Sequence, residues 1–331
     1  MPNAYIAGTG FYVPPKIVTN SELSKYMNTS DDWICERTGI QTRHFVEKGV
    51  GPSDLAIPAT EHALEAAGLS VEDIDLIIFA TSTPDYYIPG SGCMLQEKMG
   101  FKEIGALDIR VQCSGFLYGL SIAEQYIKAG TYNNILLVGA EVQSTAMDFS
   151  DTGRDTAVIF GDGAGVAIIR STEEDRGILS THMHSEGKYL KELWVEAPAS
   201  REGHPRILPK HLDQGKQYLK MNGREVFRHA VKRFHEVIHE GLTANNLKVE
   251  DINILIPHQA NLRITQMVQK KLGLDDEQVY SNVHKYGNTT AASIPIALSE
   301  AVNEQKVSKG DLVVFASFGS GFTWASSVIR W

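Results

Sequence analysis

Short apolar runs recur along the chain between longer stretches in which apolar residues return every three or four positions. Residues 74–80, 105–111, 134–139, 157–160, 252–256 and 312–317 are apolar, bounded by turn residues, and predict strands. Residues 54–67, 114–129, 223–241 and 263–272 carry the helical period. Strands alternating with helices predict an α/β chain built on parallel sheet. The least regular region, 182–217, contains Pro198, Pro205 and Pro209 and predicts a long excursion over the surface. Within it, His182 and His184 alternate as strand residues do.

The apolar pattern also repeats on a larger scale. Val71-Glu72-Asp73-Ile74-Asp75-Leu76-Ile77-Ile78 is echoed by Val249-Glu250-Asp251-Ile252-Asn253-Ile254-Leu255-Ile256, an offset of 178 (249 − 71). Glu124, ten residues before the strand at Asn134, is matched by Glu300, ten before Gly310, an offset of 176 (300 − 124). So long a period predicts two halves of one fold related by a pseudo-twofold axis, divided near Ser171 into residues 1–171 and 172–331. An offset of about 177 carries Cys113 to residue 290, inside the run Tyr286-Gly287-Asn288-Thr289-Thr290. The segment after Cys113 has no charge until Glu124, and the one after Asn288 none until Glu300, so both predict buried helices. A cysteine opening a buried helix sits among free N–H groups at the positive end of the dipole, which favours the thiolate of a nucleophile. Cys35 and Cys93 fall in helical patterns and are expected to pack inertly.

Composition narrows the options. The 331 residues are 43% hydrophobic and 21% charged, which excludes a disordered chain. Lysine plus arginine is 31 against 40 acidic residues, a net charge of −9, which argues against a general nucleic-acid or membrane-surface binder. No apolar stretch approaches the roughly 20 residues of a membrane span. The first residues show no secretory pattern, and three cysteines cannot make a disulfide framework, so a reducing cytoplasm is expected.

Other polar positions gather at strand ends, where open α/β sheets place their chemistry. His258 follows Pro257 after the strand at 252–256, and Gly319-Ser320-Gly321 follows the strand at 312–317, with an N–H suited to a developing oxyanion. His235-Glu236-Val237-Ile238-His239 matches a zinc-peptidase pattern, but its histidines flank the apolar face of their helix and no third ligand is marked, so no metal is expected. The clusters Gly161–Gly165 and Gly8–Gly10 do not complete a dinucleotide fingerprint.

Taken together, VQCSGFLYGL around Cys113, FGDGAG at 160–165, PHQANLRI at 257–264, YGNTTAAS at 286–293 and FGSGFTW at 318–324 resemble β-ketoacyl-acyl-carrier-protein synthase III, a thiolase-fold condensing enzyme of fatty acid synthesis. The resemblance runs from Tyr5 to Trp331. It implies a thiolase-like duplicated αβαβα layered fold, a homodimer, and no cofactor beyond CoA thioester substrates. Cys113 would accept an acyl group from acyl-CoA, with the backbone N–H groups of Cys113 and Ser320 as oxyanion donors. His258 and Asn288 would hold the carbonyl of a malonyl thioester on acyl carrier protein as CO₂ leaves. CoA contacts map to Trp33, Arg37, Arg154, Gly223, Phe227, Asn261 and Arg263, with Trp33 and Arg154 sandwiching the adenine. Arg224, Arg228, Lys232, Arg233, Arg263, Lys270 and Lys271 are candidates for docking the acidic carrier. Tyr87 and Ile88 fall in the loop that closes an acyl pocket in the family's dimers, and Ile88 replaces a bulky aromatic of acetyl-primed relatives. Ser320 stands where glycine is frequent and would be strained at positive φ. The stretch 192–217, longer than in compact relatives, is expected to cover the tunnel mouth or extend the pocket. A specialised condensing enzyme of secondary metabolism, or more remotely a cysteine hydrolase, would use the same nucleophile.

Overall fold

The structure, a computed structural model, describes residues 2–331. Its first main sheet contains β1 (Asn3–Tyr12), β2 (Leu76–Ala80), β3 (Gly105–Ile109), β4 (Asn134–Glu141) and β5 (Gly163–Thr172), ordered β1-β5-β4-β2-β3. The second contains β6 (Gly177–Ser185), β7 (Ile254–Pro257), β8 (Leu312–Gly319) and β9 (Thr323–Arg330), ordered β7-β8-β9-β6. The main helices are α1 (Asp31–Thr38), α2 (Pro52–Ala67), α3 (Ser91–Met99), α4 (Gly115–Lys128), α5 (Gly223–Ala244), α6 (Leu262–Leu272) and α7 (Ser293–Asn303).

Strand alternation builds the layers. Ile77 and Phe79 of β2 face Leu55, Ala59 and Ala63 of α2, whereas Ile78 faces the opposite side. There it joins Phe116, Leu117 and Leu120 of α4, Ile294 and Leu298 of α7, and Val313 and Phe315 from the second sheet. Leu312, Val314 and Ala316, the other face of β8, pack against Phe234 and Ile238 of α5 and Val268 of α6. The order is helix, sheet, helix, sheet, helix. Both sheets are covered on both faces, which is why their central strands read as unbroken apolar runs.

The halves correspond at a constant offset of 178. The 3₁₀ turns Val71–Asp73 and Val249–Asp251 match, as do Gln112–Ser114 and Thr290–Ala292, and the starts of α4 and α7. Cys113 therefore corresponds to Ala291 and Gln112 to Thr290, one residue away from the alignment at 177. Gln112 and Thr290 also share the left-handed conformation, φ 46° and φ 52°.

Three expectations fail. The sheets are mixed: β2 pairs parallel with β3 and β4, and β7 with β8, but β5 and β9 run against the rest, pairing antiparallel with β1 and β4 and with β6 and β8 respectively. Strand β9 escapes an apolar scan because Ser326 and Ser327 occupy its buried positions. Residues 157–160 are not a strand. They follow the short helix Arg154–Ala157 and meet Asn288 through one bridge at Phe160, their apolar side chains filling a satellite core with Ile34 and Ile40. Cys93 is exposed, because α3 lies on the outside of the molecule and turns Leu95 inward instead. His182 and His184 do lie on a strand, β6, so the irregular excursion begins only after Ser185.

Candidate active site

Cys113 lies in the turn between β3 and α4 and is buried. The left-handed Gln112 folds the chain back sharply enough to seat the thiol at the start of the helix. Gly319, at the end of β8, makes room for it: a Cβ there would lie 2.7 Å from Cys113 Cβ and 3.1 Å from Sγ. The backbone N–H groups of Cys113 and Ser320 act on the thiol in the direction that favours the thiolate. Ser320 avoids the feared strain, since the positive φ, 137°, falls on Gly321.

The thiol is not acidic, however. Burial, helped by the nearby Glu141 carboxyl, pushes its pKa up to about 12, against the expectation from the helix dipole. Desolvation of the thiolate outweighs the two N–H groups. Glu141 was not singled out in the sequence, where it only closes the apolar run of β4. It is buried, accepts hydrogen bonds from the Ser82 and Thr83 hydroxyls at 2.9 and 2.7 Å, and burial raises its pKa to about 7.

His258 follows β7, its N–H donating to the Ala316 carbonyl at 2.8 Å. Its Nδ1 lies 2.6 Å from Ser293 Oγ, and Nε2 is buried with no partner among the described residues. Ser293 Oγ also accepts from the Gln259 N–H at 3.3 Å; with the Ser293 proton assigned to the shorter Nδ1 contact, the imidazole carries its hydrogen on Nε2. Burial pushes the His258 pKa down to about 3, so the ring is neutral. Asn288 is held by backbone bonds to Ile159 and Gly161 at 2.9 and 3.1 Å. Its Oδ1 accepts from the Thr290 N–H at 2.9 Å, leaving Nδ2 as the group it offers a ligand.

A cavity of about 420 Å³ reaches Asn288 and Gly319, the glycine packed against Cys113, while Cys113 and His258 themselves are not in its wall. Trp33, Arg37, Gly223, Phe227, Asn261 and Arg263 line it, and Asn288, Phe318 and Gly319 form its inner end. Arg154 is not in its wall but rests on Trp33, as does Arg37, each guanidinium 4.5 Å from the ring centroid. A base sandwiched between Trp33 and Arg154 must therefore displace that arginine. Ser30 caps α1 by accepting from the Trp33 N–H at 3.1 Å, fixing the aromatic at the mouth. Asn261 is committed to structure: Oδ1 accepts from the Arg263 N–H at 2.9 Å and Nδ2 donates to the Arg37 carbonyl at 3.0 Å.

A second cavity, about 500 Å³, lies beyond Gln112, Thr290 and Ser320. Tyr87 lines it, as do Leu193, Trp194 and Ser200 of the excursion. Ile88 does not, being 80% exposed.

Of the basic candidates, Arg224, Arg228, Lys232, Arg263, Lys270 and Lys271 are exposed. Arg228 is paired with Glu225 and Lys232 with Glu236. Arg233 drops out of a free patch, pinned by Glu186 and Glu236 over the Trp324 ring. The His235 and His239 rings lie 4.4 Å apart, tilted 56° to each other, and among the described residues no group of three His, Cys, Asp or Glu is arranged to hold a metal.

Comparison with known proteins gives the same family twice. Residues 107–187 match the family model "3-Oxoacyl-[acyl-carrier-protein (ACP)] synthase III", and residues 242–331 match its C-terminal counterpart. The chain is 46% identical over 328 residues to the beta-ketoacyl-[acyl-carrier-protein] synthase III of Clostridioides difficile, covering 99% of this chain and 98% of that one. It is 44% identical over 330 residues to that of Rhodospirillum centenum, covering 98% of each. The crystal structure of 3-oxoacyl-[acyl-carrier-protein] synthase III from Aquifex aeolicus superposes with a TM-score of 0.91 at 41% identity, covering 99% of this chain and 100% of that one.

Proposed function

The chain belongs to the 3-oxoacyl-[acyl-carrier-protein] synthase III family, and from that premise we propose how its residues carry out the condensation of an acyl-CoA primer with malonyl-acyl carrier protein. The observation that carries the assignment is the sulfur of Cys113, set under two backbone N–H groups beside Gly319 at the inner end of the Trp33 cavity.

Acyl-CoA enters past Trp33, and Cys113 attacks its thioester carbonyl. The oxyanion that forms is held by the N–H groups of Cys113 and Ser320, and collapse expels CoA as a thiol carrying the proton that Cys113 gives up. Starting from a neutral thiol keeps the buried site free of uncompensated charge until substrate arrives. The malonyl thioester then binds with its carbonyl oxygen between His258 Nε2–H and Asn288 Nδ2. Loss of CO₂ pushes the electron pair of the breaking C–C bond onto that oxygen, and both donors stabilise the enolate without themselves titrating. The α-carbon attacks acyl-Cys113, and the 3-ketoacyl thioester leaves as the sulfur recovers a proton.

The acidic carrier docks on Arg224, Arg228, Lys232, Arg263 and Lys270, around the cavity mouth that Arg224 and Arg263 line. A homodimer is supported by the open edge of β3, where Leu107 is exposed, and by the exposed Tyr86, Tyr87 and Ile88. We keep the division of the halves at residues 1–171 and 172–331, which falls at the last residue of β5 and so within one residue of the end of the first sheet. A cytoplasmic site fits the three free cysteines, and no helix among the described residues is long and apolar enough to cross a membrane.

Intact mass spectrometry after incubation with a panel of acyl-CoAs tests the assignment. A stable acyl adduct is expected, lost in Cys113→Ala and discharged with CO₂ release when malonyl-acyl carrier protein is added. No adduct at any chain length would overturn Cys113 as nucleophile, and release as free acid would indicate a hydrolase.

A further inference from the structure

We propose that the second cavity selects an acyl group ending in a carboxylate, so that the favoured primer is the CoA half-thioester of a short dicarboxylic acid. The inference rests on the reading of Cys113 as acyl acceptor. The cavity adjoins that residue: its chain neighbour Gln112 lines the wall together with Ser320, and Thr290, also in the wall, belongs to the turn packed against the Cys113 turn. An acyl group on Cys113 that points away from the CoA cavity enters this space.

Its walls are mixed. Phe160, Leu193, Trp194, Val195, Pro198 and Leu219 supply an apolar stretch, while Gln112 and the solvent-exposed Arg110 and Arg201 also line it. The side chains of these three polar residues make no hydrogen bond or ion pair with any other described residue. Thr290 Oγ1 is buried and likewise without a partner. Among the described side chains, no Asp or Glu lines the cavity. Glu141 stands behind the wall, its carboxyl turned to the Ser82 and Thr83 hydroxyls and to Gln143 Nε2. A third guanidinium, Arg206, lies over the Tyr87 ring at 4.8 Å, with Tyr87 itself in the wall.

An all-carbon chain filling this space would leave the buried Thr290 Oγ1 without a hydrogen bond, a penalty, and would gain nothing from the exposed guanidinium groups. A terminal carboxylate reverses the sign, because guanidinium groups bind carboxylates through paired, charge-assisted hydrogen bonds. The chemistry is otherwise that of any primer. The Cys113 Sγ–C bond forms, the CoA S–C bond breaks, the cysteine proton leaves on CoA, and the distal carboxylate is unchanged.

Succinyl-CoA and glutaryl-CoA, each against butyryl-CoA at equal concentration, test the proposal by the rate of adduct formation on the intact chain. The carboxylated adducts are expected to form faster than the butyryl adduct. In Arg110→Met/Arg201→Met the ratio of carboxylated to butyryl rates should fall about tenfold or more, the scale of one charge-assisted hydrogen bond. Because the ratio is taken within each variant, a general loss of folded protein cancels. A faster butyryl adduct in the wild type, or a ratio unmoved by the double substitution, overturns the proposal while leaving Cys113 as acyl acceptor. Failure of all three thioesters to acylate overturns the nucleophile assignment as well.

Discussion

Cys113 and His258 are the residues at which burial and local dipoles compete most directly. The helix start and two backbone N–H groups favour the thiolate, yet the buried surroundings hold the thiol pKa at about 12. Alkylation of the apo-protein by iodoacetamide should therefore accelerate about tenfold per pH unit from roughly pH 6 to 9, because below its pKa the thiolate fraction grows tenfold per unit. A plateau below pH 7 would mean that the dipole wins after all. His258 answers the same pressure in the opposite direction. With its pKa driven down to about 3, the decarboxylation rate should show no histidine inflection between roughly pH 5 and 8. Its tautomer depends on Ser293, whose hydroxyl proton faces Nδ1. In Ser293→Ala the acyl-Cys113 burst is expected to survive, while malonyl-dependent CO₂ release falls on the order of tenfold, the value of one lost hydrogen bond in the transition state. Equal loss in both steps would reduce Ser293 to a packing residue.

Helices α4 and α7 carry the site from below, and their burial makes them sensitive to truncation. Leu120, on α4, is fully buried between the two sheets among Ile78, Leu137 and Phe315. Leu120→Ala should cost about 2–5 kcal/mol, read as a lower denaturation midpoint with an unchanged denaturant slope. These elements were legible in the sequence because a chargeless helix following a strand has few alternatives to the middle layer. The antiparallel strands were not. β9 buries serines rather than an apolar row, and β6 begins the region that prolines and glycines mark as irregular. Residues 157–160 show the converse: four apolar residues satisfy a strand pattern, but their packing against α1 leaves only the Phe160 bridge. Cys113 and His258 could be read because each follows a strand, whereas Asn288 follows the short helix Val283–Tyr286 and could be read only because the repeat carries Cys113 into its turn. Ser293 and Glu141 could not, since their significance lies in what they touch.

At the scale of the whole molecule, duplication packs the turn that holds Cys113 against the Thr290–Ala292 turn of the other half and leaves a cavity on each side of that junction, which we read as a CoA side and an acyl side. The CoA side is closed by this chain's own helices α1, α5 and α6, which contribute Trp33, Phe227 and Asn261. The acyl side is less self-contained. Its rim includes Tyr87, beside the 80% exposed Ile88, and Arg110, which follows the open edge strand β3. Large apolar side chains held this far from the core are costly in water unless another surface covers them. A second copy meeting along β3 would bury that loop and complete the acyl side together, coupling assembly to primer binding. Ile88→Asp, which puts a charge at the most exposed apolar position without touching the Cys113 centre, should move the protein toward the monomer mass in sedimentation equilibrium. Acyl-Cys113 formation should then weaken in proportion to the monomer present and recover as protein concentration is raised. A variant that remains dimeric and acylates normally would separate the loop from both roles and assign its exposure to another partner.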